Sequence, residues 1–370
     1  MKRITFILLG LVWGMTQTWA QGSNSTDKNL FNHMDIGVTL GSTGFGLDLS
    51  MPAGDYVRLR TGFTLMPHFT KNMHFGVQVG EDDPTKTEEE NKDIQNSRFN
   101  KLADALEGLT GYRARKSICM EGKPRFNNFK LLADIYPFKN NKHWHVTAGF
   151  YAGRAKIANA VNAQADMPSL MAVNIYNGIY WKVFNEQDVV TFNGAGAELP
   201  PDINQKILDY GTMSIRMGEF KHDFYATQDM YYTHDVYDKD NYDEYGRYIL
   251  LHRKGDVQYH KGDLVYQKGE SYNMVPNEDI MVKAKAVVNA FRPYLGVGYN
   301  ATISRDQKTH LAVDAGLMFW GGSPKIITHD GVDIAHDLTN VNGQVGDILR
   351  VMKRFPVYPV LEIRFSRDIF

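Results

Sequence analysis

The chain's residues 357–370 run VYPVLEIRFSRDIF. Within it Leu361, Ile363 and Phe365 alternate with Glu362, Arg364 and Ser366, the period of a half-buried strand. Taken alone, such a strand suits a soluble sandwich as well as a barrel wall. The rest of the chain separates the two.

The same alternation recurs seven times. MDIGVTL (34–40), FGLDLSM (45–51) and YVRLRTGFTL (56–65) lie near the start. FKLLADIY (129–136) and WHVTAGFY (144–151) follow, and RPYLGVGYN (292–300) and LAVDAGLMF (311–319) come far downstream. With the tail, these make eight candidate strands. The links after strands two, four and six are tight and rich in turn formers: PAGD, PFKNN and SRDQK. Those after three, five and seven are long, at about 67–125, 155–285 and 321–354, and only the first link, GST at 41–43, is short out of turn. An even number of strands with alternating short and long connections is the pattern of an up-and-down transmembrane barrel.

The first twenty residues point the same way. Lys2 and Arg3 precede the apolar run ITFILLGLVWGM (4–15), and Thr18 and Ala20 stand three and one before Gln21. This is the form of a cleaved secretory signal, 1–20, followed by a short segment, 21–33. No later stretch reaches the roughly 18–20 apolar residues of a spanning helix, so re-entry into a membrane requires strands. A net charge of -1 over 370 residues gives no electrostatic footprint for nucleic acid. The single cysteine, Cys119, excludes an intramolecular disulfide.

A bilayer satisfies no backbone hydrogen bonds, so strands cross it only in a closed sheet. The polar faces would then fill a narrow lumen. They supply Asp35, Asp48, Asp134, Asp314 and Glu362 against Arg58, Arg60, Lys130 and Arg364, with His145 nearby. Such near balance is what a buried ionic network needs. Glycines 37, 46, 62, 149, 296, 298 and 316 would make room. Aromatics at strand ends, Tyr56, Tyr136, Phe138, Trp144, Tyr151, Tyr294, Tyr299, Phe319 and Trp320, suit an interfacial girdle.

The signal, the alternation, KLLADIYPF, VTAGFYAG, RPYLGVGY, AVDAGLMFWGGSPKI and the terminal Phe together resemble the small outer-membrane β-barrel proteins of Gram-negative bacteria, the eight-stranded OmpA/OmpW-like class. The resemblance implies an all-β, eight-stranded antiparallel barrel over 34–370, with some helix in its loops. It also implies residence in the cell outer membrane, contact with outer-membrane lipid, and insertion by the barrel assembly machinery. The closing strand with Leu361, Ile363, Phe365 and Phe370 would be the targeting feature. One mismatch stands out: Phe370 falls in phase with Glu362 and Arg364, which calls for either a bulge near Ser366–Asp368 or Ile369 in the lipid-facing place.

Function would then lie in the loops, facing an extracellular ligand or protein. Residues 155–285 are too many for a structureless link and suggest an inserted subdomain. PPDINQKILDYG (200–211) reads as a short helix capped by Asp202 and stopped at Gly211. EDDPTKTEEENKD (81–93) reads as a solvated acidic tip, and RFNKLADALEGL as a helix with Phe99, Leu102, Ala103, Leu106 and Leu109 on one face. KGDVQYH, KGDLVYQ and KGESY repeat every seven residues over 254–272, with Gly255, Gly262 and Gly269 as turns between short strands. A tyrosine-rich surface of Tyr231, Tyr232, Tyr237, Tyr242 and Tyr245 is the candidate binding face.

Cofactors are not expected. Asp235, Asp238, Asp240 and Asp243 lack the glycine and distal glutamate of a calcium loop. His222, His234, His252 and His260 are spaced 12, 18 and 8 apart, unlike a zinc motif. The leading expectation is a structural or surface-interaction barrel with a plugged interior; the alternatives are a small-solute channel and a rim enzyme. For an enzyme, His329 with Asp330 and His336 with Asp337 are the acid–base candidates, without a nucleophile motif.

Overall fold

The computed structural model describes residues 34–138, 141–185, 203–245, 248–341, 343–354 and 356–369. The leader reading at 1–20, the segment 21–33, Asp202 and Phe370 lie outside these residues. Eight antiparallel strands close into a barrel: β1 Asp35–Gly41, β2 Gly44–Pro52, β3 Val57–Leu65, β4 Asn128–Ile135, β5 Trp144–Gly153, β6 Phe291–Thr302, β7 Thr309–Phe319 and β8 Val357–Asp368. Each pairs with its neighbour in the chain, and β8 closes on β1. Strand number and antiparallel order are those implied by the resemblance to small outer-membrane barrels, and the links alternate short and long except for the two-residue link Ser42–Thr43 between β1 and β2.

The alternation places one face of every strand outside and the other in the lumen. Leu47 is 62% exposed while its neighbour Asp48 is 2% exposed. The closing seam runs without a bulge, from Asp35 opposite Asp368 to Gly41 opposite Glu362. Phe365 therefore faces outward beside Val38, and Ile369 continues that exposed row. Arg367 points to the turn rim, 3.6 Å from Asp306. Of the two ways to accommodate the tail, the lipid-type face at Ile369 holds and the bulge does not.

Beyond the long-loop rim the wall continues on five of its eight strands. Lys71–Gly76 extends β3, Ser117–Pro124 leads into β4, Lys156–Asn162 extends β5, Lys283–Val287 leads into β6, and Lys325–Thr328 extends β7. They form a five-stranded sheet in the order of the barrel itself. A second sheet joins Ser271–Met274, Met213–Phe220 and Leu338–Thr339, with Gln78–Val79 also paired to Met213–Phe220.

These sheets and four helices share one core. The helices are α1 Glu88–Thr110, α2 Met167–Phe184, α3 Ile203–Tyr210 and α4 Gly343–Arg354. Val77, Phe99, Ile118, Leu170, Met213, Tyr272, Leu338 and Leu349 all belong to that core, and they come from all three long loops. The segment 155–285 is therefore not a subdomain with a core of its own; its apolar surface is completed by the loops before and after it.

Two local expectations change. The acidic run is solvent-exposed as expected, but its second half is helix and not a loop tip: Glu88, Glu89 and Glu90 form the first turn of α1, where their charge meets the positive end of the helix dipole. Thr87 and Glu90 close a capping box there. Phe99, Leu102, Ala103 and Leu106 are buried as the helical face required. Helix α2 had no clear sequence signal, because apolar and small residues surround it on most sides instead of forming one stripe.

Candidate functional site

The lumen is built in two layers. In the layer toward the tight turns, Arg60 Nη1 donates to Asp314 Oδ2 at 2.7 Å and Nη2 to Asp134 Oδ1 at 3.1 Å. Glu362 lies 3.7 Å from the same guanidinium. Lys130 Nζ donates to both oxygens of Glu362 at 2.7 and 2.8 Å and lies 2.9 Å from Asp48. His145 Nε2 is 2.7 Å from Asp314 Oδ1, and Thr147 donates to Asp134 at 2.8 Å. Arg58 lies 3.1 Å from Asp35, which also accepts from Ser50. Arg364 is more loosely held, 3.9 Å from Asp134. Every residue assigned to the interior from its phase is thus in the lumen, and nine of the ten are fully buried, Arg58 being partly exposed.

At the long-loop end the lumen is lined by the apolar side chains of Phe126, Tyr151, Tyr294, Met318 and Val360, and Leu132 of the same cluster stands between Lys130 and Asp134 on β4. Tyr151, Tyr294, Tyr136 and Trp320 are buried, which removes them from the aromatic girdle. Their position in phase with inward glycines, such as Tyr294 with Gly296 and Gly298, was the signal for this. The exposed girdle at the turn rim is Tyr56, Phe138, Trp144 and Tyr299, with the rings of Trp144 and Tyr299 5.1 Å apart.

Arg292 was also missed by sequence reading although it shares that inward phase. It is fully buried, donates to the Arg154 carbonyl at 2.6 Å and to Asn128, and lies 4.9 Å from the Phe126 ring centroid.

The repeated segment forms a protruding two-stranded ribbon. Residues 220–242 run out and 248–272 run back, with Phe224 opposite Tyr266, Met230 opposite Tyr259 and Val236 opposite His252. Gly255, Gly262 and Gly269 sit in turns between short strands at positive φ. Opposite them a sixfold repeat, HDFY (222–225), QDMY (228–231) and HDVY (234–237), runs along the outgoing strand; its spacing was legible but hidden by the sevenfold one.

Asp223, Asp229 and Asp235 accept the backbone N–H groups of Lys268, Lys261 and Lys254 at 3.0, 2.9 and 2.7 Å. Of the candidate tyrosines, Tyr231, Tyr242 and Tyr245 are exposed. Tyr237 is half-buried, and so is Tyr232, which stacks on His252 at 4.7 Å. At the ribbon's base Phe220 stacks on Tyr266 at 4.5 Å. Burial pushes the Tyr266 hydroxyl up to about 12 and raises Tyr272 well above the ordinary phenol range, Tyr272 also donating to Asp330 at 2.6 Å.

The acid–base pairs separate in space. His336 Nδ1 is 2.8 Å from Asp333, not Asp337, and Asp337 accepts the Asp333 N–H at 2.9 Å. His329 Nε2 lies 3.1 Å from the Val275 carbonyl, while Asp330 is engaged by Tyr272 and Thr328. Neither histidine is oriented by its sequence neighbour. Among the described residues, no three His, Cys, Asp or Glu side chains gather as a metal site would require.

No family model and no curated protein matches the chain. Among solved structures, Acinetobacter baumannii CarO2 is similar at 12% identity and a TM-score of 0.32, over 91% of this chain and 98% of that one. Acinetobacter baumannii CarO is similar at 12% identity and 0.34, over 92% and 99%. At these values the likeness carries no argument, and the barrel rests on its own strand pairing.

Proposed function

We propose that this chain is exported and resides in the cell outer membrane of a Gram-negative bacterium as a plugged barrel, with its loop domain as a surface for contact with an extracellular ligand or protein. The observation that carries the reading is the contrast between the two faces of the same strands. Val38, Leu47, Phe63, Leu295, Val297, Leu361 and Phe365 are exposed around the outside, while charged neighbours are buried within. In water such a belt would be a large aggregation-prone patch; against lipid it is the solvated face. The leader at 1–20 and a closing strand ending in Phe370, read by the barrel assembly machinery, belong to the same proposal.

The filled lumen favours a structural or surface-interaction role over a small-solute channel. The reading is supported by ionic ties that span β3, β4, β7 and β8 and by the buried apolar side chains that share the lumen with them. Two measurements test this. The folded protein should fractionate with the outer membrane and show heat-modifiable gel mobility; recovery in soluble periplasm would reject the membrane reading. In planar bilayers it should give no stable conductance steps, and regular large steps would favour the channel.

A further inference from the structure

Four adjacent strands carry their outward rows past the long-loop rim in the same way. On β4, outward Phe129 is followed toward the loops by Arg125 and Lys123. On β5, Phe150 is followed by Arg154 and Lys156. On β6, Phe291 is followed by Lys285 and Lys283, and on β7 Phe319 is followed by Lys325. Each strand thus passes from an aromatic to cations within four to six residues, about 13–20 Å of extended chain.

Register puts these cations on one side. Lys123 lies opposite Asn159, and Asn159 opposite Lys285, so the three share a face. The other face carries Ile118 and Met120 into the loop core. A register shift beside Lys156 turns Ile157 into the lumen plug and keeps Arg154 and Lys156 outside.

Two acids stand against this face, and each is already paired: Glu121 with Lys123 at 2.8 Å and Asp279 with Lys283 at 2.8 Å. Among the described residues, no carboxylate reaches Arg125, Arg154, Lys156, Lys285 or Lys325, all of them exposed. Four strands at a spacing of about 4.8 Å make a patch about 15 Å wide. The short β1–β2 link at Ser42–Thr43 carries no cation.

We propose that this face holds the phosphorylated headgroup of a lipid whose acyl chains lie on the aromatic row below it. The inference rests on the membrane reading. Its specific content is charge complementarity continuous with an apolar, lipid-type wall. Cations just outside a hydrocarbon boundary attract anionic headgroups, and the two arginine forks match phosphate geometry in a way that isolated lysines do not. The continuous sheet of cations lies on β4–β7, so the headgroup is held against that part of the wall.

The test uses the full chain folded in neutral detergent, with bound phospholipid counted by native mass spectrometry. Phosphatidate should bind at least tenfold more tightly than phosphatidylcholine, as several cations near one headgroup require. A variant carrying Arg125→Gln, Arg154→Gln, Lys156→Gln, Lys285→Gln and Lys325→Gln should keep heat-modifiable mobility and show a preference of twofold or less. No preference in the wild type, an unchanged preference in the variant, or full displacement of phosphatidate by millimolar inorganic phosphate would each overturn the lipid-headgroup site. A protein that never acquires a heat-modifiable form would instead overturn the membrane reading itself.

Discussion

Arg60 and Asp314, 254 positions apart in the chain, meet at 2.7 Å inside the barrel. The same guanidinium reaches Asp134 and Glu362, so one side chain on β3 ties β4, β7 and β8 across the lumen. Arg60→Met should leave these acids short of charge in a buried layer and lower unfolding stability by about 3–5 kcal/mol. Urea titration followed by heat-modifiable mobility measures this. A loss below about 1 kcal/mol, the scale of exposed pairs, would mean that the lumen is wet and open.

Gly298 faces that same layer. A Cβ there would run into Asp314 Oδ1 and His145 Nε2, the two atoms of the contact that holds His145 in place. Gly298→Val should displace the histidine and lower stability by roughly 1–3 kcal/mol, the usual cost of overpacking. Gly54→Ala is the comparison, in a turn where an added Cβ meets nothing. Its positive φ gives it a backbone cost of its own, about 1–2 kcal/mol, but no effect on the His145 ring environment. An unshifted His145 resonance in Gly298→Val would reject the steric account.

Much of the barrel was legible because a strand's two faces repeat every second residue, and a closed sheet enforces that phase on all eight strands. Asp48 beside Leu47 needed no partner to be assigned. The buried aromatics of the lumen were less legible: Tyr151 and Tyr294 lie near strand ends, and only their phase with inward glycines distinguishes a buried ring from an interfacial one. The loop domain was least legible. Its core joins residues such as Val77, Met213 and Leu338, whose contacts span more than a hundred positions and follow no local period. The acid–base pairs failed for a related reason: residues adjacent in sequence on a turn point apart, and His336 found Asp333 one helical step away instead.

The ribbon should respond to loss of one turn without loss of the barrel. Gly262 holds a φ of 100° with open space around it, so Gly262→Ala tests backbone strain alone and should cost about 1–2 kcal/mol locally. Asp229→Ala removes the acceptor for the Lys261 N–H and should cost about 0.5–1.5 kcal/mol, the net worth of a solvent-accessible hydrogen bond. Limited proteolysis is the readout: cleavage within 226–263 should rise in both variants while heat-modifiable mobility stays intact. Simultaneous loss of both would show that the ribbon and barrel fold as one unit.

Alkaline pH should loosen the loop domain first. Burial raises the Tyr266 hydroxyl to about 12 and pushes Tyr272 up as well, against an ordinary value near 10. Folding therefore favours the neutral phenols. Their contribution is complete below about pH 10 and is lost as pH rises through about 12. Tyrosinate absorbance should show late-titrating groups, and near-ultraviolet dichroism should fall over that window. Tyr266→Phe should flatten the fall; an unchanged alkaline transition would assign it to other groups.

Leu47 and Leu264 are both exposed leucines on antiparallel strands, at 62% and 41%, but the proposed membrane surrounds only the first. Leu47 lies within β2, flanked outward by Phe45 and Leu49, whereas Leu264 sits on the ribbon opposite Tyr225. Leu47→Arg should cost about 2–4 kcal/mol near the middle of the bilayer, since the charge must leave water. Leu264→Arg should stay within about 0.5 kcal/mol, as ordinary surface changes do. Equilibrium unfolding from phosphatidylcholine vesicles compares them directly. Were both strands bathed in water, the two arginines would be equally harmless, so equal small losses would remove lipid from around the barrel.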